Sequence, residues 1–192
     1  MEYIQEIEGQ VGQLKNVSKE IRKKIRLGKL DEAYRLTAQY PNDLIIMSQR
    51  CTILIKQGRL EEAKIIGKQF EDDPIIQSQM VTIAIQEGDI ERANAIGAKF
   101  ESNEAIQSQM ITIAIQEGRL EDAKAIGEKF QDNPMIQNQM ITIAIQEGRL
   151  EEAKAIGARF KKYEPIQRQI MTIAIHQGNI ERARGILEEF GN

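Results

Sequence analysis

From Leu44 onward, two hydrophobic patterns alternate along the chain. At about 100° per residue, Ile106, Met110, Ile113 and Ala114 cluster on one side of a helix. Ile111 and Ile115 widen that apolar surface to an arc of about 200°, too broad for a helix covered on one side only. The remaining arc carries Ser108, Gln109, Thr112 and Gln116. After Gly118 the pattern narrows to a stripe of Leu120, Ala123, Ile126, Gly127 and Phe130 with charged residues behind it. This spacing predicts an inner helix, A, packed on both sides, followed by an outer, half-solvated helix, B.

The pair recurs. The stretch QSQMITIAIQEGRLEDAKAIGEKF, Gln107 to Phe130, has copies starting at Met47, Gln77, Gln137 and Gln167, thirty residues apart. Thr52, Thr82, Thr112, Thr142 and Thr172 keep one phase, and Gly58, Gly88, Gly118, Gly148 and Gly178 keep another. Ala63, Ala93, Ala123, Ala153 and Ala183 keep a third. A period of this length predicts stacked supersecondary units. The expected fold is all-α, an α-solenoid of antiparallel helix-turn-helix repeats. Residues 44–192 form five tandem repeats opening at Leu44, Pro74, Glu104, Pro134 and Glu164. Residues 1–43 form an N-terminal helix and a degenerate capping repeat.

Local chemistry marks the boundaries. Asp43, Asp73, Asn103 and Asn133 are good helix N-caps, and Pro74 and Pro134 fall at the first helical position. The recurring glycine is placed to end helix A in a left-handed turn. Helix B opens acidic, as at Glu61, Glu62, Glu121 and Asp122, and closes on Lys68, Lys99, Lys129 or Arg159, as the helix dipole favours. Glycine inside helix B costs about 1 kcal/mol against alanine, yet it recurs at Gly67, Gly97, Gly127 and Gly157. Close approach of the following repeat is the expected compensation. Leu187 in the last repeat fits that rule and Thr37 in the first departs from it. Near the start, Ile4, Ile7, Val11, Leu14, Ile21 and Ile25 form one stripe, which Gly12 and Asn16-Val17-Ser18 are expected to divide into two helices.

Composition narrows the class without naming a ligand. Apolar residues are 41%, charged residues 29%, and there is no tryptophan, an ordinary helical composition rather than a disordered one. The formal charge of -3 gives no global attraction to nucleic acid or anionic lipid. MEYIQEIEGQ lacks a basic and apolar leader, and no apolar run approaches a membrane span, so a soluble cytoplasmic protein without a membrane partner is expected. The single cysteine, Cys51, stands where sister repeats carry Val81, Ile111, Ile141 and Met171, and reads as a buried small hydrophobe.

The segment NPMIQNQMITIAIQEGRLEEAKAIGARF, Asn133 to Phe160, resembles the tetratricopeptide repeat. A first helix, a glycine turn, an acidic step and an alanine that seats the second helix follow in that family's order, with Gly148, Ala153 and Phe160 at matching offsets. The repeat is four residues shorter than the family's, and Ile141 stands where a small residue is expected. The resemblance covers Leu44 to Asn192 and, more weakly, the cap from Leu14. It implies a right-handed superhelix whose inner helices line a concave face that holds a peptide or a partner's helix. Carried over by position, that face is Ser48, Thr52 and Lys56; Ser78, Thr82 and Gln86; Ser108, Thr112 and Gln116; Asn138, Thr142 and Gln146; Arg168, Thr172 and His176. The arc left over after packing selects the same ladder independently.

The chemistry points to recognition rather than catalysis. A solvated face repeated by duplication is the plainer account of the ladder, but such a face more often carries Lys and Glu. Gln77, Gln107, Gln137 and Gln167 fall inside the apolar arc and must be satisfied there, which predicts an inter-repeat hydrogen-bond ladder. The Met80, Met110 and Met140 column reads as core filling. His176 is the only histidine and Cys51 is distant from it, so the sequence offers no metal constellation or nucleophile-base pair, and no cofactor or enzymatic activity is expected. Lys15, Lys19, Arg22, Lys23, Lys24, Arg26 and Lys29, countered mainly by Glu20, form a basic surface that reads either as a solvated cap or as a contact for an anionic partner. The leading expectation is a protein-interaction scaffold that binds a peptide or partner segment in the groove. A nucleic-acid reader, with bases contacted by the first helices, is disfavoured by a nearly uncharged groove without stacking aromatics. Self-association through the N-terminal stripe or through Ile180, Ile186, Leu187 and Phe190 is the third expectation, and near-identical copies are also compatible with an engineered repeat protein.

Overall fold

The computed structural model describes the backbone of residues 2–190 and the side chains of residues 11–190. Among the described residues there are twelve helices and no strand. They are α1 (Glu2–Arg26), α2 (Leu30–Thr37), α3 (Leu44–Lys56), α4 (Leu60–Gln69), α5 (Pro74–Glu87) and α6 (Ile90–Lys99), followed by α7 (Glu104–Gln116), α8 (Leu120–Lys129), α9 (Pro134–Gln146), α10 (Leu150–Arg159), α11 (Glu164–His176) and α12 (Ile180–Phe190). The chain is thus an all-α repeat of helical hairpins. It forms two compact units, one reaching to Ile96 and one starting at Gly97, so the division falls inside α6.

The helices begin where their caps dictate. Asp43, Asp73, Asn103 and Asn133 each accept a hydrogen bond on the side-chain oxygen from the backbone N–H three residues on, at 2.9 to 3.0 Å. Tyr163 stands in the same extended cap geometry without a capping bond, and its ring packs on the repeat core instead. Helix A ends as expected in a left-handed glycine, with φ of +71 to +73° at Gly28, Gly58, Gly88, Gly118, Gly148 and Gly178. At Gly58 the turn closes with Gly58 N–H donating to Ile55 O (3.0 Å) and Arg59 N–H to Leu54 O (2.9 Å), which satisfies carbonyls at the helix end.

In the first unit α3 packs on α1, α2, α4 and α5. In the second unit α9 likewise packs on α7, α8, α10 and α11. The broad apolar arc of helix A is therefore buried from both sides, as with Ile136, Ile141, Ile143 and Ala144. Helix B buries a narrow strip, Ala123 and Gly127 in α8 and Ala153, Ile156 and Gly157 in α10.

The helix B glycines are slots for the next helix A. A Cβ placed on Gly67, Gly97 or Gly127 would lie 2.6 to 2.7 Å from Cγ of Met80, Met110 or Met140, with the sulfur closer still. A Cβ on Gly157 would meet Ile170, with Cδ1 at 2.6 Å. Each slot is clamped by an amide: Gln77, Gln107, Gln137 and Gln167 donate Nε2 to the carbonyls of Gly67, Gly97, Gly127 and Gly157 at 2.7 to 3.0 Å. They reach a second carbonyl at Phe70, Phe100, Phe130 and Phe160 at 3.1 to 3.3 Å. The end of helix B, whose last carbonyls lack intrahelical partners, is thus capped by the repeat that follows.

The first interface is built otherwise. Thr37, fully buried, replaces the slot glycine, Met47 replaces the clamping glutamine, and Arg50 replaces the methionine knob. The Thr37 hydroxyl donates to Tyr34 O at 2.6 Å. The Arg50 guanidinium is drawn to Tyr34, 4.4 Å from the ring centre, with Nη2 donating to the hydroxyl at 2.6 Å. The expected break in the N-terminal stripe is also corrected: α1 runs unbroken to Arg26, because Val17, Ile21 and Ile25 hold its central and final turns in the core with Leu30, Ala33 and Ile53.

Candidate functional site

The ladder expected to line a groove divides into spent and free positions. Ser48, Thr52, Ser78, Thr82, Asn138 and Thr142 are half-buried and Ser108 is buried, while Lys56, Gln86, Gln116, Gln146, Thr112, Arg168, Thr172 and His176 are exposed. The hydroxyls of Thr52, Thr112 and Thr142 face the repeat that follows. Gln79 Nε2 donates to Thr52 Oγ1 (2.7 Å) and to Ser48 O (2.9 Å). Gln139 does the same to Thr112 (2.9 Å) and Ser108 O (3.1 Å), and Gln169 to Thr142 (3.2 Å). Each threonine in turn donates to its own helix, Thr52 to Ser48 O at 3.1 Å and Thr142 to Asn138 O at 3.2 Å. Much of the polar ladder is therefore a second inter-repeat bond system, and its exposed side chains are Lys56, Gln86, Gln116, Gln146 and His176 in the last turn of each helix A, together with Thr112, Arg168 and Thr172.

The bridging glutamine was missed in the sequence as a structural part, although Gln49, Gln79, Gln109, Gln139 and Gln169 hold one phase as strictly as the threonines do. Gln49 follows the rule on the capping repeat, donating to Ser18 Oγ (2.7 Å) and Ser18 O (3.1 Å). This fixes the register of α1 as a helix A. Ser18, Arg22 and Arg26 are the cap's counterparts of Ser48, Thr52 and Lys56. The basic patch and the ladder, read separately from the sequence, are one surface in the first unit.

That surface is cationic. Lys15, Lys19, Arg22, Lys23 and Arg26 are exposed and fall within an arc of about 100° on α1. Among the described residues none of the five has an ion-pair partner. Lys24 points the other way and pairs with Glu32 (2.7 Å) and Glu20 (3.5 Å), and its pKa is raised, chiefly by the hydrogen bond to Glu32. Between residues 11 and 59, eleven Lys and Arg face four Asp and Glu, in a chain whose net charge is -3. A cavity of about 770 Å³ opens here, lined by Lys19, Arg22, Lys23 and Arg26 together with Gln49 and Thr52.

Clefts on the helix B side differ in kind. One of about 410 Å³ beside Gly67 and Met80 and one of about 270 Å³ beside Gly127 and Met140 occupy the same place in their repeats and mix charges of both signs. They arise from the stacking itself. Cys51 is fully buried, and burial pushes its thiol up to about 12, so it is an inert core residue as expected. No described helix is long and apolar enough to cross a membrane.

The class defined by these features is an all-α protein of stacked thirty-residue helical hairpins. No family model, curated protein or solved structure matches the chain.

Proposed function

We propose that this chain is a non-enzymatic recognition module, a scaffold or adaptor of tetratricopeptide-like hairpins that holds a segment of a partner protein along its A helices. The observation that carries the reading is the exposed polar edge left at the ends of those helices, Lys56, Gln86, Gln116 and Gln146, after the threonines are committed to inter-repeat bonds. Side chains that neither pack nor pair, repeated at one place, give a partner many weak contacts on a largely pre-formed surface. A lone, buried thiol is compatible with the reducing cytoplasm, the location proposed here.

The test is affinity capture with purified protein, with and without nuclease, read by mass spectrometry. A protein recovered in both conditions and lost with a Gln116→Lys, Gln146→Lys bait is the expected result. Recovery that collapses on nuclease treatment would move recognition to nucleic acid and refute the scaffold.

A further inference from the structure

The cationic face of α1 separates two depressions. On one side is the groove of about 770 Å³ that reaches Gln49 and Thr52. On the other is a cavity of about 460 Å³ whose apolar lining residues are Val11, Leu14 and Ile45. Lys19 and Arg22 line both, so the cations form a ridge between the two. From Lys15 to Arg26 the ridge rises about 16 Å at 1.5 Å per residue. Val11 is 43% and Ile45 61% exposed, so the apolar side is open to an occupant.

We propose that this ridge docks an acidic, amphipathic segment of another protein. The segment sets an apolar side chain on Val11, Leu14 and Ile45 and runs its carboxylates along Lys19, Arg22, Lys23 and Arg26. The assignment deepens the recognition reading and rests on it.

Charge complementarity calls for an anion, and the surroundings decide which kind. Glu20 lines the larger groove and Asp43 the smaller cavity, so a polynucleotide, with a phosphate at every step, would have to pass both carboxylates. Among the described residues no aromatic ring lines either depression to stack a base. An anionic bilayer takes up a broad apolar helix face, whereas the described apolar lining of this recess is Val11, Leu14 and Ile45, with Leu14 half-buried. A peptide can space its carboxylates to avoid Glu20 and Asp43 and supply one apolar side chain to the recess.

The register explains why the ridge is on α1. Arg22 and Arg26 stand at the rung positions that are Thr52 and Lys56 in the next repeat, and both are exposed. Lys19 and Lys23 stand at the positions of Gln79 and Ile83, which in an inner repeat contact the preceding hairpin, and here they are exposed.

The test is fluorescence anisotropy on the full chain with a labelled helical probe peptide. The peptide is about sixteen residues long, with Glu on one face and Leu on the other at i, i+3 and i+4 spacing. The competitors are a leucine-free acidic peptide of equal charge, an oligo-dT of equal charge, and phosphatidylserine vesicles. The expected result is that the amphipathic probe binds best and is released by salt. Arg22→Glu with Arg26→Glu weakens it by at least about tenfold, and Ile45→Asp by about tenfold, with circular dichroism melts unchanged. Equal affinity for the leucine-free peptide, tighter binding of oligo-dT or vesicles, or a probe indifferent to both sets of substitutions overturns the proposal. So does self-association in sedimentation that the same substitutions abolish, because the occupant is then a second copy. A probe lost with Gln116→Lys but retained by the α1 variants sinks this inference and leaves the recognition reading standing. No binding by any peptide sinks both.

Discussion

The glycine slots give the most demanding test of how the repeats mate. Gly127 and Gly185 both lie inside helix B elements of the second unit, α8 and α12, and differ in what a methyl group would meet. A Cβ on Gly185 has nothing within 4 Å, whereas one on Gly127 would sit 2.7 Å from Cγ of Met140, which is only 8% exposed. Replacing a mid-helix glycine by alanine favours the helix by about 1 kcal/mol, so Gly185→Ala stabilises by about that amount. At Gly127 the same gain is set against overpacking, typically about 1–3 kcal/mol. The unbranched methionine can swing to relieve part of it, and Gly127→Ala comes out destabilised by about 1 kcal/mol. Ile170, 1% exposed, is branched at Cβ and cannot swing, so Gly157→Ala is worse still, by about 2 kcal/mol. Urea unfolding followed by circular dichroism orders the proteins Gly185→Ala, wild type, Gly127→Ala, Gly157→Ala from most to least stable. In a double-mutant cycle, Met140→Ala rescues part of the Gly127→Ala loss. Gly127→Ala as stabilising as Gly185→Ala would refute the slot, since intrinsic propensity would then account for everything.

Other outcomes follow from the same contacts. Gln137→Met removes the clamping amide from the carbonyls of Gly127 and Phe130, which keep the backbone donors of Phe130 and Asn133, and lowers stability by about 1 kcal/mol, measured by urea unfolding, with faster amide exchange at the end of α8. Thr142→Val takes an acceptor from Gln169 and costs about 1 kcal/mol, while calorimetry of any captured partner shows its affinity unchanged. Cys51 stays unlabelled by a thiol reagent at pH 8 in the native protein and reacts on unfolding. Because burial raises its pKa to about 12, the native state keeps a proton that the unfolded chain releases above about pH 8.5. This contribution to stability therefore falls as pH rises from there towards 12, and Cys51→Val removes that dependence in melts taken across the range.

Features set by local chemistry were legible in the sequence. Asp73 and Asn103 announced helix starts, Gly118 announced a left-handed end, and Gly127 announced a close approach, because each depends on a residue and its immediate neighbours or on the next copy of the same phase. The bridging glutamines were not. A helical wheel sees one helix, and it placed Gln109 with the solvent arc. The Gln139 bond to Thr112 spans 27 residues and depends on the offset between successive A helices, which no wheel encodes. The unbroken α1 has the same cause, since Gly12 and Asn16 weaken the helix locally while Val17, Ile21 and Ile25 hold it from outside. For the site, the cations of α1 were visible as a cluster. That Arg22 and Thr52 occupy equivalent rungs was available from the thirty-residue phase and needed only the Gln49–Ser18 bond to become a physical register.

A chain of near-identical parts has a counting problem while it folds: any hairpin can try to dock on the wrong neighbour. The inner interfaces do nothing to prevent this, since Gly67, Gly97 and Gly127 would each accept the methionine of any inner repeat. The Thr37, Met47 and Arg50 set answers it at one joint. If α2 were to dock on α5 in place of α3, Thr37 would bring its Cβ and two further heavy atoms into the space where a lone Cβ at Gly67 already lies 2.6 Å from Met80 Cγ. In the opposite mispairing, α4 against α3, Met47 would leave the carbonyls of Gly67 and Phe70 unclamped. The odd joint thus acts as a key cut for one lock, giving the first hairpin its own partner in an array whose methionine joints are interchangeable.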